Sequence, residues 1–244
     1  MEARFELTRQ AVGSHFWYRG FRRFVYPAIG VALEGRGRLR LLDCGSGIGH
    51  NLDELETHGY AVGMDLSLAS VAFASVNGHR GVGGDVTHLP FASASFDVTT
   101  SFDVLQQIED DGAAVREMAR VLKPGGMAFL TLAALQVLHG DHNVVWDERR
   151  RYSPASARAL MIQAGLVPVR VSFLFASLFP ILLASRTAQR VTRRLRPLSE
   201  ASDISVPAAP VNAVLSAIVS AEAVVGRIFP MPIGSTLLVV ARKP

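Results

Sequence analysis

Two groups of residues in this chain of 244 have types and spacing suited to chemistry. The first is Leu39-Arg40-Leu41-Leu42-Asp43-Cys44-Gly45-Ser46-Gly47-Ile48-Gly49-His50-Asn51. A short apolar run reaches an acid, breaks into glycines at every second position, and continues with residues able to begin a helix. Glycines spaced this way let the backbone approach a ligand with no side chain between them, and the helix start beyond them offers unpaired N–H groups. The carboxylate of Asp43 suits a cationic or amino-acid-like ligand better than a pyrophosphate. The second group is His139-Gly140-Asp141-His142, followed by Trp146 and then Arg149-Arg150-Arg151-Tyr152. Its imidazoles, carboxylate and phenol can take or give a proton. No further ligand pair is spaced to close a metal site around His139, Asp141 and His142, so no metal is expected.

The elements that must position these groups follow from pattern. Leu39–Asp43 is a strand, and the helix after the glycines runs to about His58. Tyr60–Asp65 is a second strand ending in an acid, with Leu66-Ser67 opening another helix. About twenty residues separate the first glycine from Asp65, the distance at which a βαβ unit brings a carboxylate to a ribose diol. Gly81–Phe91 holds a third strand and its exit, and Ser95–Phe102 is a fourth. Val115, Met118, Ala119 and Leu122 share a helical face, and Lys123-Pro124-Gly125-Gly126 stops that helix before a strand over Met127–Leu132. Ser153-Pro154 caps a helix running to Gly165. Leu166–Phe175 and Ser235–Ala241 read as the last two strands.

Two cofactor classes use a turn of this kind. The dinucleotide fingerprint wants glycine or alanine at its sixth position, where this chain has His50. S-adenosylmethionine, with its ammonium and sulfonium, suits Asp43 better. Here the pattern resembles motif I of the class I S-adenosylmethionine-dependent methyltransferases, in the branch with an N-terminal His-aromatic-Arg element, and the likeness runs unbroken from Leu39 to about Leu132. The resemblance implies an α/β, Rossmann-like seven-stranded sheet, mostly parallel, in the order 3-2-1-4-5-7-6 with strand 7 antiparallel. It implies S-adenosyl-L-methionine as cofactor, held by Asp43, Gly45, Gly47 and Gly49, by Asp65 and Leu66 at the ribose, by Asp85 and Val86 at the adenine, and by Ser101 and Phe102 at the end of the fourth strand. Where the family commonly shows Asp-Val-Leu-Glu-His-Ile, this chain has Asp103-Val104-Leu105-Gln106-Gln107-Ile108. A glutamine cannot take a proton at neutral pH, so a base in place of that histidine must come from His142, Asp103 or Tyr152, or from water. His142 aligns with a histidine common in relatives. Contacts to the acceptor are expected from His15 and Trp17 in the island His15-Phe16-Trp17-Tyr18-Arg19, read as a lid or as an ordinary core-facing helix, and from Gln107, Trp146 and Arg150.

Bulk composition narrows the class. The net charge of +4 is modest, and the arginines are clustered locally, so nucleic acid is not an expected partner. The single cysteine, Cys44, excludes an internal disulfide. The first residues show no basic start followed by an apolar core, which points to a cytoplasmic protein. The organisation expected is a helical cap over 1–37, a methyltransferase core over 38–175 and 235–244, and a helical insertion over 176–234. That insertion is expected to hold the surplus hydrophobicity of a chain that is 49% apolar. Within it Arg186, Arg190, Arg193 and Arg194 fall on one helical face and Ala184, Ala188, Val191 and Leu195 on the other. This is the layout of a cationic helix lying on a membrane, so peripheral contact through 171–196, at an inner membrane face, is a further expectation. The bland alternative is a capping helix with solvated arginines. The acceptor is expected to be a small hydrophobic or amphiphilic molecule linked to lipid, isoprenoid or glycan chemistry. Rival readings are a non-catalytic S-adenosylmethionine-fold interaction protein and a nicotinamide-dependent oxidoreductase. Oligomeric state is not legible.

Overall fold

A computed structural model describes residues 9–192 and 206–244. Its elements are α1 (Phe16–Leu33), β1 (Leu39–Cys44), α2 (Leu52–His58), β2 (Gly59–Asp65), α3 (Leu68–Val76), β3 (Gly81–Gly83), β4 (Phe96–Phe102), α4 (Asp111–Val121), β5 (Leu122–Ala133), a 3-10 turn (Gln136–Leu138), α5 (Asp141–Val145), α6 (Pro154–Gln163), β6 (Val167–Leu174), α7 (Phe179–Thr192), α8 (Ala209–Val225) and β7 (Thr236–Arg242). The strands form one sheet in the order β3-β2-β1-β4-β5-β7-β6. β7 runs antiparallel to both β5 and β6, and the other pairings are parallel. This is the expected topology.

The central strands are near-continuous apolar runs because the sheet is covered on both faces. Alternate residues therefore enter different cores. Leu41, Phe129 and Leu238 face a core shared with Phe21, Val25 and Ile29 of α1 and Val219 of α8. Leu42, Leu130 and Leu237 face the other, with Met118 of α4 and Met161 of α6. The N-terminal helix and α8 of the insertion thus complete one layer of the sheet's own packing. They cross closely at Gly20, where any side chain would collide with Val219.

Two elements differ from expectation. α4 starts at Asp111, ahead of its apolar stripe, because the Asp110 carboxylate accepts a hydrogen bond from Ala113 N at 2.7 Å and caps the first turn. Lys123–Gly126 lies within β5: Leu122 already pairs with Phe96, and after an irregularity Met127 pairs with Val98. Lys123 Nζ meets the Asp97 carboxylate at 2.8 Å, and Gly125 N donates to Lys243 O, so tertiary contacts hold extended a segment whose residue types read as a stop.

The insertion corrects an expectation about α7. Arg186 is 3% exposed and packs under Gly140, while the Arg190 guanidinium donates to the carbonyls of Val137 and His139. The face that turns outward carries Ala184, Ala188 and Val191. The glycine at 140 leaves room for the Arg186 stem and draws it inward, while Arg190 stays exposed and spends its guanidinium on backbone carbonyls. Arg193, Arg194 and Leu195 lie outside the described residues. Among the described residues no helix is long and apolar enough to cross a membrane.

Candidate functional site

The carboxyl ends of β1, β2 and β4 meet at one edge of the sheet, where the chain leaves β1 through the glycine turn. Gly45 N and Ser46 N both donate to Met64 O, at 2.7 and 2.9 Å, which ties the turn to the end of β2. Gly45 and Gly47 hold φ of +80° and +54°, a region that side chains disfavour, and a Cβ on Gly45 would also strike Val104. One Asp65 carboxylate oxygen accepts from Gly47 N and the other from Ser67 N, each at 2.8 Å. Asp65 is thereby fixed between the turn and the start of α3, beside the exposed Leu66. Gly84 N donates to Asp65 O, bringing the exit of β3 to the same edge. There Val86 is buried, whereas Asp85 is exposed and accepts from Thr87 N at 2.8 Å; that hydrogen bond holds its carboxyl below the usual range.

Under the turn, Asp43 is 1% exposed. Its Oδ1 accepts from Thr100 Oγ1 at 2.6 Å, and its Oδ2 is buried with no partner. Burial pushes the carboxyl up to about 6, against the pull of the Thr100 hydrogen bond. Ser101 on β4 is also buried, with its Oγ unpartnered.

The N-terminal helix reaches this corner through rings. His15 caps α1, its Nδ1 accepting from Trp17 N at 3.1 Å, and is buried. Trp17 stacks on Phe21 and on Phe175. Tyr18 meets His50 edge-on at 5.6 Å. Tyr26 Oη donates to Asn51 Oδ1 at 3.1 Å. Between α1 and the start of α2, residues including Arg22, Tyr26, His50, Asp53 and Glu54 line a cavity of about 360 Å³. Burial, helped by the Arg22 cation, pulls the His50 imidazole down to about 4.

The second group lies beyond β4 and β5. Asp103 leaves β4 in a left-handed conformation, φ +57°, and Leu135 and Phe175 do the same just past β5 and β6. Burial, then the Glu148 carboxylate, push Asp103 up to about 6, while Gln106, Thr131 and Arg151 pull it down. Glu148 and Arg151 form a buried ion pair at 3.4 Å, Asn143 Nδ2 donates to Glu148, and Arg151 donates to Ala134 O. Gln106 is buried with its Oε1 unpartnered, and its carbonyl accepts from Arg149 N; Gln107 is exposed. Tyr152 is in the core, donating to Asp111 Oδ2 at 2.7 Å, and burial raises its phenol. Arg150 pairs with the other Asp111 oxygen at 2.8 Å. Trp146 is half-buried in the same loop. His139 and Asp141 line a cavity of about 420 Å³ with Gln136, Gln189 and Arg190. The His142 side chain lies outside the described residues. Among those described, no cluster of three His, Cys, Asp or Glu could hold a metal.

Comparison with known proteins gives this geometry a family. Residues 42–130 match the family model described as a methyltransferase domain. Among solved structures, an S-adenosylmethionine dependent methyltransferase from Mesorhizobium loti superposes with a TM-score of 0.58 at 19% identity, covering 89% of this chain and 96% of that one. Residues 42–130 thus carry a methyltransferase domain, on a fold shared with S-adenosylmethionine-dependent methyltransferases. Phosphoethanolamine N-methyltransferase 2 of Haemonchus contortus, solved in complex with S-adenosyl-L-methionine, has the same fold, with a TM-score of 0.58 at 19% identity over 90% of this chain and 52% of that one. In sequence, the chain is 36% identical over 132 residues to a demethylmenaquinone methyltransferase of Roseiflexus sp. (strain RS-1), covering 50% of this chain and 54% of that protein. It is 34% identical over 122 residues to one of Corynebacterium urealyticum, covering 50% and 53%. These matches span about half the length of the curated relatives.

The residues of the methyltransferase domain fit the cofactor. A buried carboxylate oxygen with no donor calls for a cationic N–H group, which the ammonium of the methionine moiety has. Reading the sequence missed Thr100 and Val104 at this edge and the Glu148–Arg151 pair at the other. The only sequence signal for Thr100 was the polar run Thr99-Thr100-Ser101 inside a strand otherwise fit for the core.

Proposed function

We propose that this chain transfers the methyl group of S-adenosyl-L-methionine to a small, hydrophobic or amphiphilic acceptor of a lipid-like, quinone-type class, on the cytoplasmic side of the cell. The observation that carries the cofactor half is the unpartnered, buried Asp43 Oδ2 beneath a glycine turn that is itself fixed by Asp65. In this reading Asp43 accepts the ammonium, and Gly45, Gly47 and Gly49 admit the methionine moiety. Asp65 takes the ribose hydroxyls beside Leu66, Asp85 and the amide of Val86 hold the adenine, and Ser101 and Phe102 line the approach at the end of β4. The cofactor supplies an electrophilic methyl on a sulfonium. The protein's work is to align an acceptor with it and to exclude water.

Asp103 is the proton acceptor of this scheme. It leaves the tip of β4 next to the proposed cofactor position, and a carboxyl near 6 is mostly ionised at neutral pH yet basic enough to draw a proton from an acceptor hydroxyl. His142 is a second candidate for that role, from the resemblance alone. Tyr152 holds Arg150 and Asp111 in place through its hydrogen bond. His15, Trp17, Gln107, Trp146 and Arg150 are assigned to the walls of the acceptor site. The quinone class rests on the two demethylmenaquinone methyltransferases that resemble the domain. The test is incubation with methyl-labelled S-adenosylmethionine and a demethylated quinone or a hydrophobic metabolite extract. Label should enter the organic phase; none doing so while S-adenosylhomocysteine binds would favour the non-catalytic reading, which the replacement of the usual Glu-His pair by Gln106 and Gln107 supports. Binding of NADH in preference to S-adenosylhomocysteine would favour the oxidoreductase.

A further inference from the structure

α7 and α8 bury polar side chains beside their core residues Leu182, Leu215, Val219 and Ala223, and expose apolar ones. The inward side of α7 carries Arg186 and Gln189, hydrogen-bonded to each other, and its outward side carries Ile181, Ala184, Ala188 and Val191, the last 75% exposed. On α8 the inward residues include Asn212, which accepts from Phe16 N and donates to Ser14 O, and Glu222, which accepts from Ala176 N, Ser177 N and Ser177 Oγ. Glu222 is the only charged residue of that helix. Val211, Val214, Ile218 and Val225 recur at helical spacing on the outward side and are all exposed; Ile228, 72% exposed, and Phe229 extend the stripe. A helix on a protein–water boundary places its polar residues the other way round, and a continuous apolar stripe of this length marks a docking surface.

The surroundings of the stripe identify what it docks on. Phe16 beside Asn212, Gly20 beside Val219 and Phe24 beside Gly226 set α1 parallel to α8. Arg19 and Arg23 of α1, both exposed, each precede by one residue a position that meets α8, and exposed Arg227 follows the end of the stripe. None of these arginines is in an ion pair among the described residues. A second copy docked by twofold symmetry would set arginine rows beside one another, whereas an anionic surface would neutralise them. No described helix is long and apolar enough to span a bilayer; an exposed apolar helical stripe with cations near it is the arrangement of a helix lying in an interface.

We propose that the outward face of α8, continued by Ile228 and Phe229, docks on an anionic lipid bilayer, with Arg19, Arg23 and Arg227 at the headgroups. This surface differs from the side of α7 that carries the buried Arg186, and it does not depend on the methyl-transfer reading. The test is flotation of the full chain with phosphatidylcholine vesicles, with and without about 30% phosphatidylglycerol. The wild-type protein should float with the anionic vesicles, and less so as salt rises. Ile218→Gln with Phe229→Gln, which leaves the charge unchanged, should lose roughly tenfold or more of that partitioning. Arg23→Gln with Arg227→Gln should lose the preference for anionic lipid. Both variants should keep the wild-type unfolding temperature, because every residue changed is exposed. Wild-type protein left unbound by both vesicles, or undiminished flotation of the Ile218→Gln, Phe229→Gln variant, would overturn the proposal. Undiminished preference in the arginine variant would overturn the anionic occupant. A concentration-dependent dimer that the apolar variant dissociates would assign the face to a second copy instead.

Discussion

Replacing Asp43 with asparagine should move stability and cofactor binding in opposite directions. The side chain is 1% exposed, and its carboxyl is raised from 3.8 to about 6 by burial. A carboxylate whose folded pKa lies above its unfolded one is a charge that the fold tolerates at a cost. That cost is fully present above about 6, and it fades as pH falls toward the unfolded value, because the folded state then binds the proton first. A shift of this size corresponds to about 1–3 kcal/mol, so Asp43→Asn should raise the ligand-free protein's stability at pH 7.5 by that order. The asparagine oxygen still accepts from Thr100, so the 2.6 Å hydrogen bond survives the change. The stabilisation should shrink toward zero near pH 4, where the wild-type carboxyl is itself protonated. Cofactor binding should weaken, because a charge-assisted hydrogen bond to the ammonium, about 1.5–3 kcal/mol, is lost. That is roughly a tenfold to hundredfold rise in Kd for S-adenosylhomocysteine. Urea unfolding between pH 4 and 8 and titration calorimetry give the two numbers. A variant that is less stable at pH 7.5, or that binds within about twofold of wild type, would refute the assignment of Asp43.

Further predictions concern the second site and the packing. Asp103→Asn should lower kcat by about a hundredfold or more with cofactor affinity unchanged. The wild-type kcat should rise with pH through an inflection near 6, and Glu148→Gln should move that inflection to lower pH, since the Glu148 carboxylate helps to raise Asp103; an unmoved inflection would dissociate the two residues. Tyr152→Phe should cost about 1 kcal/mol or more of stability through the Asp111 hydrogen bond and leave kcat near wild type, and a collapse of kcat in a stable variant would instead make the phenol the base. Gly20→Val should destabilise the fold by about 1–3 kcal/mol, because the added carbons overlap Val219 across the α1–α8 contact, and an unchanged urea midpoint would contradict that crossing.

Much of the fold was legible because the strands carry their own punctuation. Asp43 and Asp65 each stand at the end of an apolar run, and glycines or a helix start follow at once, so the βαβ unit and its site edge could be read directly. The registers of β7 with β5 and β6 agree with the expected order. What escaped was whatever depends on which side of an element faces in. Helical spacing separated arginines from alanines on α7 but carried no information about direction, which Gly140 decides by making room for Arg186. Thr100 reads as an ordinary strand residue until its hydroxyl is seen on Asp43. His15 stood out as a chemical group and is placed as a helix cap inside an aromatic cluster, since a capping imidazole and a lid imidazole look alike in sequence. The ion pair of Glu148 with Arg151 was hidden in a run of charges with many other partners in reach.

The most direct test of the cofactor site is a crystal structure of the full chain with S-adenosylhomocysteine. The ammonium should lie within hydrogen-bond distance of Asp43 Oδ2, the ribose hydroxyls on Asp65, and the sulfur should face the tip of β4 at Asp103. A ligand bound elsewhere, or one seated on the glycine turn with Asp43 Oδ2 still unpartnered, would contradict the site.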